Sequence, residues 1–182
     1  QKGDTKRLVR FTSGEIKGLS TLIESQNSMY VYLPGFKKIR PVAAHNMNQS
    51  FAGSDFSNED MAIVTWGSAY EPVFDHEDDT YYYLKLTPKA GVSVSYAYVI
   101  LKVYKSNFTQ GGVDYFNAKG EKVKYQLNSD YMTYPSGAKL NSYLVIGDPR
   151  TGHKTELRIK VYKVNQGLAD SLFTQRELQW GK

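Results

Sequence analysis

The chain contains no cysteine. That excludes a disulfide, a thiolate metal site, a cysteine nucleophile and a lipidated cysteine anchor within this sequence, and it leaves the redox compartment undecided. Histidine is scarce as well: His45, His76 and His153 are scattered, with no H-E-x-x-H or G-x-S-x-G pattern, so neither a metal-dependent nor a serine hydrolase is indicated. No run approaches the ~20 apolar residues of a membrane-spanning helix. The polar start Gln1-Lys2-Gly3-Asp4 is not a secretory signal, so any signal peptide is expected to be missing from this sequence. Charge of one sign is nowhere concentrated. The net +5 is spread over many segments and interrupted by the acidic run Asp75 to Asp79, which supports only a weak attraction to anionic surfaces. No internal repeat, low-complexity tract or linker is visible, and the length suits one domain over residues 1–182.

What the chain has in abundance is aromatic side chains: 15 Tyr, 8 Phe and 2 Trp, clustered in short segments rich in Val, Ile and Thr. Such residues favour strands, so a mostly β (α+β) fold is expected. Alternation supports this, with Leu157, Ile159 and Val161 opposed to Arg158, Lys160 and Tyr162, and a second apolar row at Val123, Tyr125 and Leu127. The pattern predicts strands over Arg7 to Phe11, Ile16 to Ile23, Met29 to Leu33, Lys38 to Val42, Tyr81 to Thr87 and Tyr96 to Tyr104. It predicts further strands over Asp114 to Phe116, Lys122 to Asn128, Ser142 to Ile146, Thr155 to Val164 and Thr174 to Leu178. Asn117-Ala118-Lys119-Gly120 and Asp148-Pro149-Arg150-Thr151-Gly152 read as the turns of a meander. The gap between Val42 and Thr80 is the one non-strand insertion, of a length usual for a lid or a functional loop. Inside it, Ser57-Asn58-Glu59-Asp60 has the form of a capping box, and Ala43 to Gln49 suggests a second short helix.

Several strands are apolar on both faces. Val99, Leu101 and Val103 oppose Tyr98, Ile100 and Tyr104, while Tyr30 and Tyr32 oppose Met29, Val31 and Leu33. Two readings fit. A curved sheet could hold something apolar on its concave side, with tyrosines at the mouth. Equally, an ordinary core plus a covering helix could bury both faces, with tyrosines leaning over their neighbours.

The stretch from Met29 to Met61 writes an aromatic strand, a Pro34-Gly35 stop, a basic cluster and a segment bearing Met and Phe, the pattern of a mobile apolar flap beside a sheet. Here the chain resembles the LolA-like outer-membrane lipoprotein-sorting proteins of bacteria. The resemblance rests on Tyr32-Leu33-Pro34 with Lys37, Lys38 and Arg40, and on Ser50-Phe51-Ala52-Gly53-Ser54-Asp55-Phe56-Ser57 with Glu59-Asp60. It continues in the strand-turn-strand YFNAKGEKVKYQ and closes on Gly167, Leu168, Asp170, Phe173, Thr174, Arg176 and Leu178. The chain departs from the pattern at Ala52, where a bulkier residue is common, and at Asn58, where an aromatic is frequent. The opening helix of such domains is not recognisable before Lys6.

The resemblance implies an incomplete antiparallel β-barrel, a LolA/LolB-like half-barrel with a short helical lid, in the periplasm of a Gram-negative bacterium. It implies non-covalent carriage of lipid or lipoprotein acyl chains, without cofactor, metal or covalent step, with transient membrane contact and an inner-membrane transporter as a further partner. The residues expected at the cavity and lid are Tyr30, Tyr32, Phe36, Met47, Phe51, Phe56, Met61 and Ile63; Lys37, Lys38 and Arg40 are the candidates for a headgroup or partner. Methionine suits such a lid because its thioether chain repacks around differing tails, and Gly35 and Gly53 offer backbone freedom. The alternatives are a satellite core under a long loop for the lid residues, and a solvated strand edge for the basic cluster. Functional alternatives are a sensor of periplasmic lipid state and an enzyme acting on an apolar small molecule. A nucleic-acid binder is disfavoured because the aromatics alternate with aliphatics rather than with Lys and Arg. Asp55 and Asp60 read as turn and cap ligands, and Asp75 to Asp79 as a solvated loop whose consecutive acids cannot converge on one cation.

Overall fold

Alternating side chains and turn residues build two antiparallel sheets. The computed structural model describes residues 1–63, 65–134, 137 and 139–179. In chain order the elements are β1 (Arg7–Arg10), β2 (Ser20–Ser25), β3 (Ser28–Leu33), β4 (Lys38–Pro41), α1 (Asn58–Ala62) and α2 (Trp66–Ala69). They continue with β5 (Tyr70–Glu77), β6 (Tyr81–Pro88), β7 (Tyr98–Tyr104), β8 (Gln110–Phe116), β9 (Lys122–Thr133), β10 (Lys139–Gly147), β11 (Lys154–Arg158) and α3 (Gln175–Leu178). Short 3₁₀ turns lie at Pro34–Phe36, Ala44–Asn46 and Asp170–Leu172. The sheets have four strands in the order β1-β2-β3-β4 and seven in the order β11-β10-β9-β8-β7-β6-β5. Neither closes among the described residues, so the expected mostly β, unclosed antiparallel architecture with short helices holds. The chain divides into two compact units, one of Gln1–Gly53, Ser57–Thr65 and Asn165–Lys182, the other of Ser54–Phe56 and Trp66–Val164.

In the first unit, the even positions of β2 and β3 face one way. Leu22 and Tyr32 pack with Phe173 and Leu178 into a buried cluster, joined by Leu8, Tyr30, Ile39 and Leu172. Each large side chain so buried contributes about 1.5–3 kcal/mol. The buried Ser20 hydroxyl donates to the Leu178 carbonyl over 2.7 Å and fixes the chain end on this face. Thr174 to Leu178, expected as a strand, therefore forms the short helix α3. Gln, Arg and Glu are good helix formers, and one apolar residue in that window cannot supply a strand face.

In the second unit, each strand pairs with its sequence neighbour, from β5–β6 through β10–β11. Gly120 closes the predicted β8–β9 hairpin at φ 76°, where a side chain would be strained. Leu86, Val99, Leu101, Val113 and Ile146 are buried on one face. On the other, aromatic rings cover one another, with Tyr81 against Tyr104 at 4.6 Å, Tyr98 stacked on Phe116 at 4.6 Å, and the Lys85 ammonium 4.5 Å over Tyr98. Gly111 makes this possible, since a Cβ there would collide with the Tyr81 ring.

Four further expectations need correction. The Val42 to Thr80 gap holds a full strand, β5, with Asp75 and Glu77 in it rather than in a loop. Pro72 is tolerated because β5 is an edge. Residues 16–19 form a turn, with the Lys17 N–H donating to the Gly14 carbonyl. The last strand stops at Arg158, leaving Val161 69% exposed. On β9 the row of Val123, Tyr125 and Leu127 is not the buried one, for Leu127 is 49% exposed while Gln126 and Asn128 are buried.

Candidate ligand-binding site

The first unit contains a cavity of about 350 Å³ on the face of its sheet opposite the Leu22–Tyr32 cluster. Strand alternation decides which side chains reach it. Thr21 of β2 pairs with Val31 of β3, and Val31 pairs with Arg40 of β4, so these three form one cross-strand row along the cavity. Leu19 and Leu33 line it beside that row. Thr21 is fully buried, and its hydroxyl has no hydrogen-bond partner among the described residues. Arg40 is exposed and has no carboxylate within ion-pair distance among the described residues.

The opposing wall comes from the segment that follows β4. Val42, Asn46, Gln49, Phe51 and Asn58 line the cavity from that side. Phe51 is buried and packs against Phe11 with ring centroids 5.9 Å apart. The segment carries hydrogen bonds of its own beside outward ties at Met61 and Asp55. The Asn58 N–H donates to the Gln49 carbonyl (3.0 Å), the Glu59 N–H to the Met47 carbonyl (2.8 Å), and the Asn58 amide to the Asn46 carbonyl (3.0 Å). The predicted capping box starts α1, with the Asp60 N–H donating to the Ser57 hydroxyl and the Ser57 N–H to the Asp60 carboxylate. Ala52 takes a left-handed conformation at φ 52°, which costs a non-glycine residue about 1–2 kcal/mol.

Of the expected site residues, Phe51 and Arg40 line this cavity. Tyr30 and Tyr32 lie on the other face, in or against the Leu22 cluster. Phe36 is 70% exposed, and Lys37 and Lys38 are exposed. Met47, Met61 and Ile63 are half-buried around α1, where the Met61 carbonyl accepts from the Arg7 guanidinium at 2.8 Å. Phe56 falls in the second unit. Thr21 was missed because a threonine between Ser20 and Leu22 in a β-rich window reads as strand filler; its place ahead of Leu22 and Ile23 was the only available signal.

Two polar clusters in the second unit also escaped the sequence. On β8 and β9, the Trp66 indole donates to Gln110 (2.9 Å), the Gln110 and Gln126 amides both donate to the Asn128 oxygen (3.2 and 2.9 Å), and the Tyr115 hydroxyl donates to Gln126 (3.3 Å). Separately, the Asp55 carboxylate accepts from the Thr155 hydroxyl at 2.6 Å and lies 2.8 Å from the His153 Nδ1. Burial pushes the Asp55 carboxyl up, but the Thr155 and His153 hydrogen bonds outweigh it and hold it below the usual carboxylate range. The acidic run is divided among separate tasks: Asp75 pairs with His76, whereas Asp78 accepts from the Thr80 and Tyr81 N–H groups and the Tyr83 hydroxyl.

A family model described as "uncharacterized protein" matches residues 3–180. No curated protein matches the chain. Among solved structures, a DUF1329 family protein from Desulfovibrio piger is 26% identical, covering 97% of this chain and 78% of its own, with a TM-score of 0.90. A putative outer membrane lipoprotein-sorting protein domain from Vibrio parahaemolyticus is 21% identical over 98% of this chain and 80% of its own, with a TM-score of 0.85. A LolA superfamily protein from Nitrosomonas europaea is 20% identical over 97% of this chain and 80% of its own, with a TM-score of 0.74.

Proposed function

The chain belongs to the family whose model matches residues 3–180 and shares the fold of LolA superfamily structures, and from that premise we propose that it binds and carries lipid or lipoprotein acyl chains non-covalently in the periplasm. The observation that carries this reading is the cavity between β2–β4 and the segment after β4, walled by Leu19, Val31, Leu33, Val42 and Phe51. An acyl chain of about fourteen methylenes costs on the order of 11 kcal/mol to expose to water, at ~0.8 kcal/mol each. A carrier must offer a dry wall and then give access to it. The segment after β4 suits that role: its internal hydrogen bonds can persist while it moves, and the outward ties that must yield include the Arg7 bond to the Met61 carbonyl. The Vibrio neighbour's name, which speaks of lipoprotein sorting, supports the same direction. Among the described residues, no helix is long and apolar enough to cross a membrane, and membrane contact in this reading is peripheral.

Native mass spectrometry of protein exported to a bacterial periplasm, followed by organic extraction, tests the reading. An acyl-bearing adduct that solvent removes is the expected result. Bare protein mass, together with failure to take up a fluorescent fatty acid, would count against it.

A further inference from the structure

We infer that the first unit's cavity takes a single-chain amphiphile with an anionic head, the head held between Arg40 and Thr21 and the chain laid along Leu19, Leu33 and Phe51. This rests on the carrier reading only in taking the cavity as a ligand site; the class of ligand follows from the chemistry of its walls. Its volume of about 350 Å³ lies at the small end of the ~300–1,000 Å³ usual for small-molecule pockets, which suits one chain better than a multiply acylated anchor.

The walls are not uniformly greasy. A cavity meant for hydrocarbon alone has no use for a fully buried hydroxyl without a partner, since burial strips that group of water and gives nothing back. Thr21 shares its cross-strand row with Arg40, with β3 between them, and the two backbones stand roughly 10 Å apart at ~4.8 Å per strand. A guanidinium on its long stem spans much of that distance and presents a fork that fits two oxygens of a carboxylate or phosphate. The Thr21 hydroxyl is sealed from water in this structure, so the same acid group accepts from it once the segment after β4 shifts to admit the ligand. Leu19 and Leu33 border this row, so the strand pattern places a polar strip beside an apolar one. Asn46, Gln49 and Asn58 add neutral amides on the opposing wall and no acid that would repel the head.

Displacement of the neutral fluorophore N-phenylnaphthylamine by dodecanoate, dodecyl phosphate and 1-dodecanol tests this. The three share a chain length and differ in the head. The intact protein should release the fluorophore at about tenfold lower concentration of an anionic ligand than of the alcohol, the worth of one charge-assisted hydrogen bond. The better of the two acids identifies the head as carboxylate or phosphate. Arg40→Gln should erase the preference by weakening the acids while leaving the alcohol unchanged. Thr21→Val should weaken the acids and raise the melting temperature of the empty protein, a pairing that mere damage to the fold cannot produce. Equal displacement by all three ligands, or an Arg40→Gln loss shared equally by the alcohol, overturns the inference and leaves the carrier reading standing. Failure of every chain to bind sinks the carrier reading itself.

Discussion

On β8 and β9, buried amides find one another: Gln126 and Asn128 bond together, and Gln110, Tyr115 and Trp66 complete the set. On β2, Thr21 is buried as deeply, yet its hydroxyl has no hydrogen-bond partner among the described residues, in a strand that borders a cavity. Both are polar residues on sheet faces, and the difference separates structure from function. A closed network rewards the fold with specificity, because each member satisfies another in a medium of low dielectric constant. A sealed orphan is a standing cost to the fold, of the kind that calls for an explanation beyond packing.

The sharpest way to break this contrast is Asn128→Ala. The Asn128 oxygen accepts from two amides, so its loss strands both donors in a buried setting. The expected cost is about 3 kcal/mol in urea unfolding with an unchanged slope, from ~1–3 kcal/mol for each unsatisfied group. A cost near zero would mean that water already serves the network.

Thr21→Val should act in the opposite direction. Replacing an unpartnered hydroxyl by a methyl of the same shape should stabilise ligand-free protein by about 1 kcal/mol, or roughly 2–4 °C in melting temperature. A destabilised variant would show that the hydroxyl is satisfied in solution, and the contrast between the two faces would vanish.

How far the sequence could reveal these regions depended on whether the signal was local. The capping box at Ser57 to Asp60 and the hairpin at Gly120 were readable because each is settled within four residues. The strands from β6 to β10 showed through their aromatic and β-branched content, though β8 began four residues early because Gly111 and Gly112 carry no such mark. β5 was hidden for a different reason. It is an edge strand exposed at seven of eight positions, so no buried face imposes a period on YEPVFDHE. The choice of face was harder still. Tyr30 and Tyr32 alternate with Val31 and Leu33 in any reading, but which pair meets the cavity depends on Phe173 and Leu178, well over a hundred residues away, claiming the other side. Asp55 looked like a turn residue because its true partners, His153 and Thr155, lie 98 and 100 residues further along.

That last cluster gives the smallest test. Asp55 exchanges hydrogen bonds at both ends with Thr155, whose hydroxyl accepts from the Asp55 N–H at 2.9 Å and donates to its carboxylate at 2.6 Å. The folded carboxyl is held below its ordinary range, so its stabilising share is fully present above the unfolded value of about 3.9 and is lost as pH falls below it. Asp55→Asn should therefore be slightly less stable than the parent at about pH 7, and the gap should narrow as pH falls below the unfolded value and close once the folded carboxyl is itself protonated. Urea midpoints across that range decide the matter. A gap that persists unchanged into acid would show that the asparagine disturbs packing rather than charge. The cluster would then join the amide network, as polar structure that holds the sheet and answers to no titration.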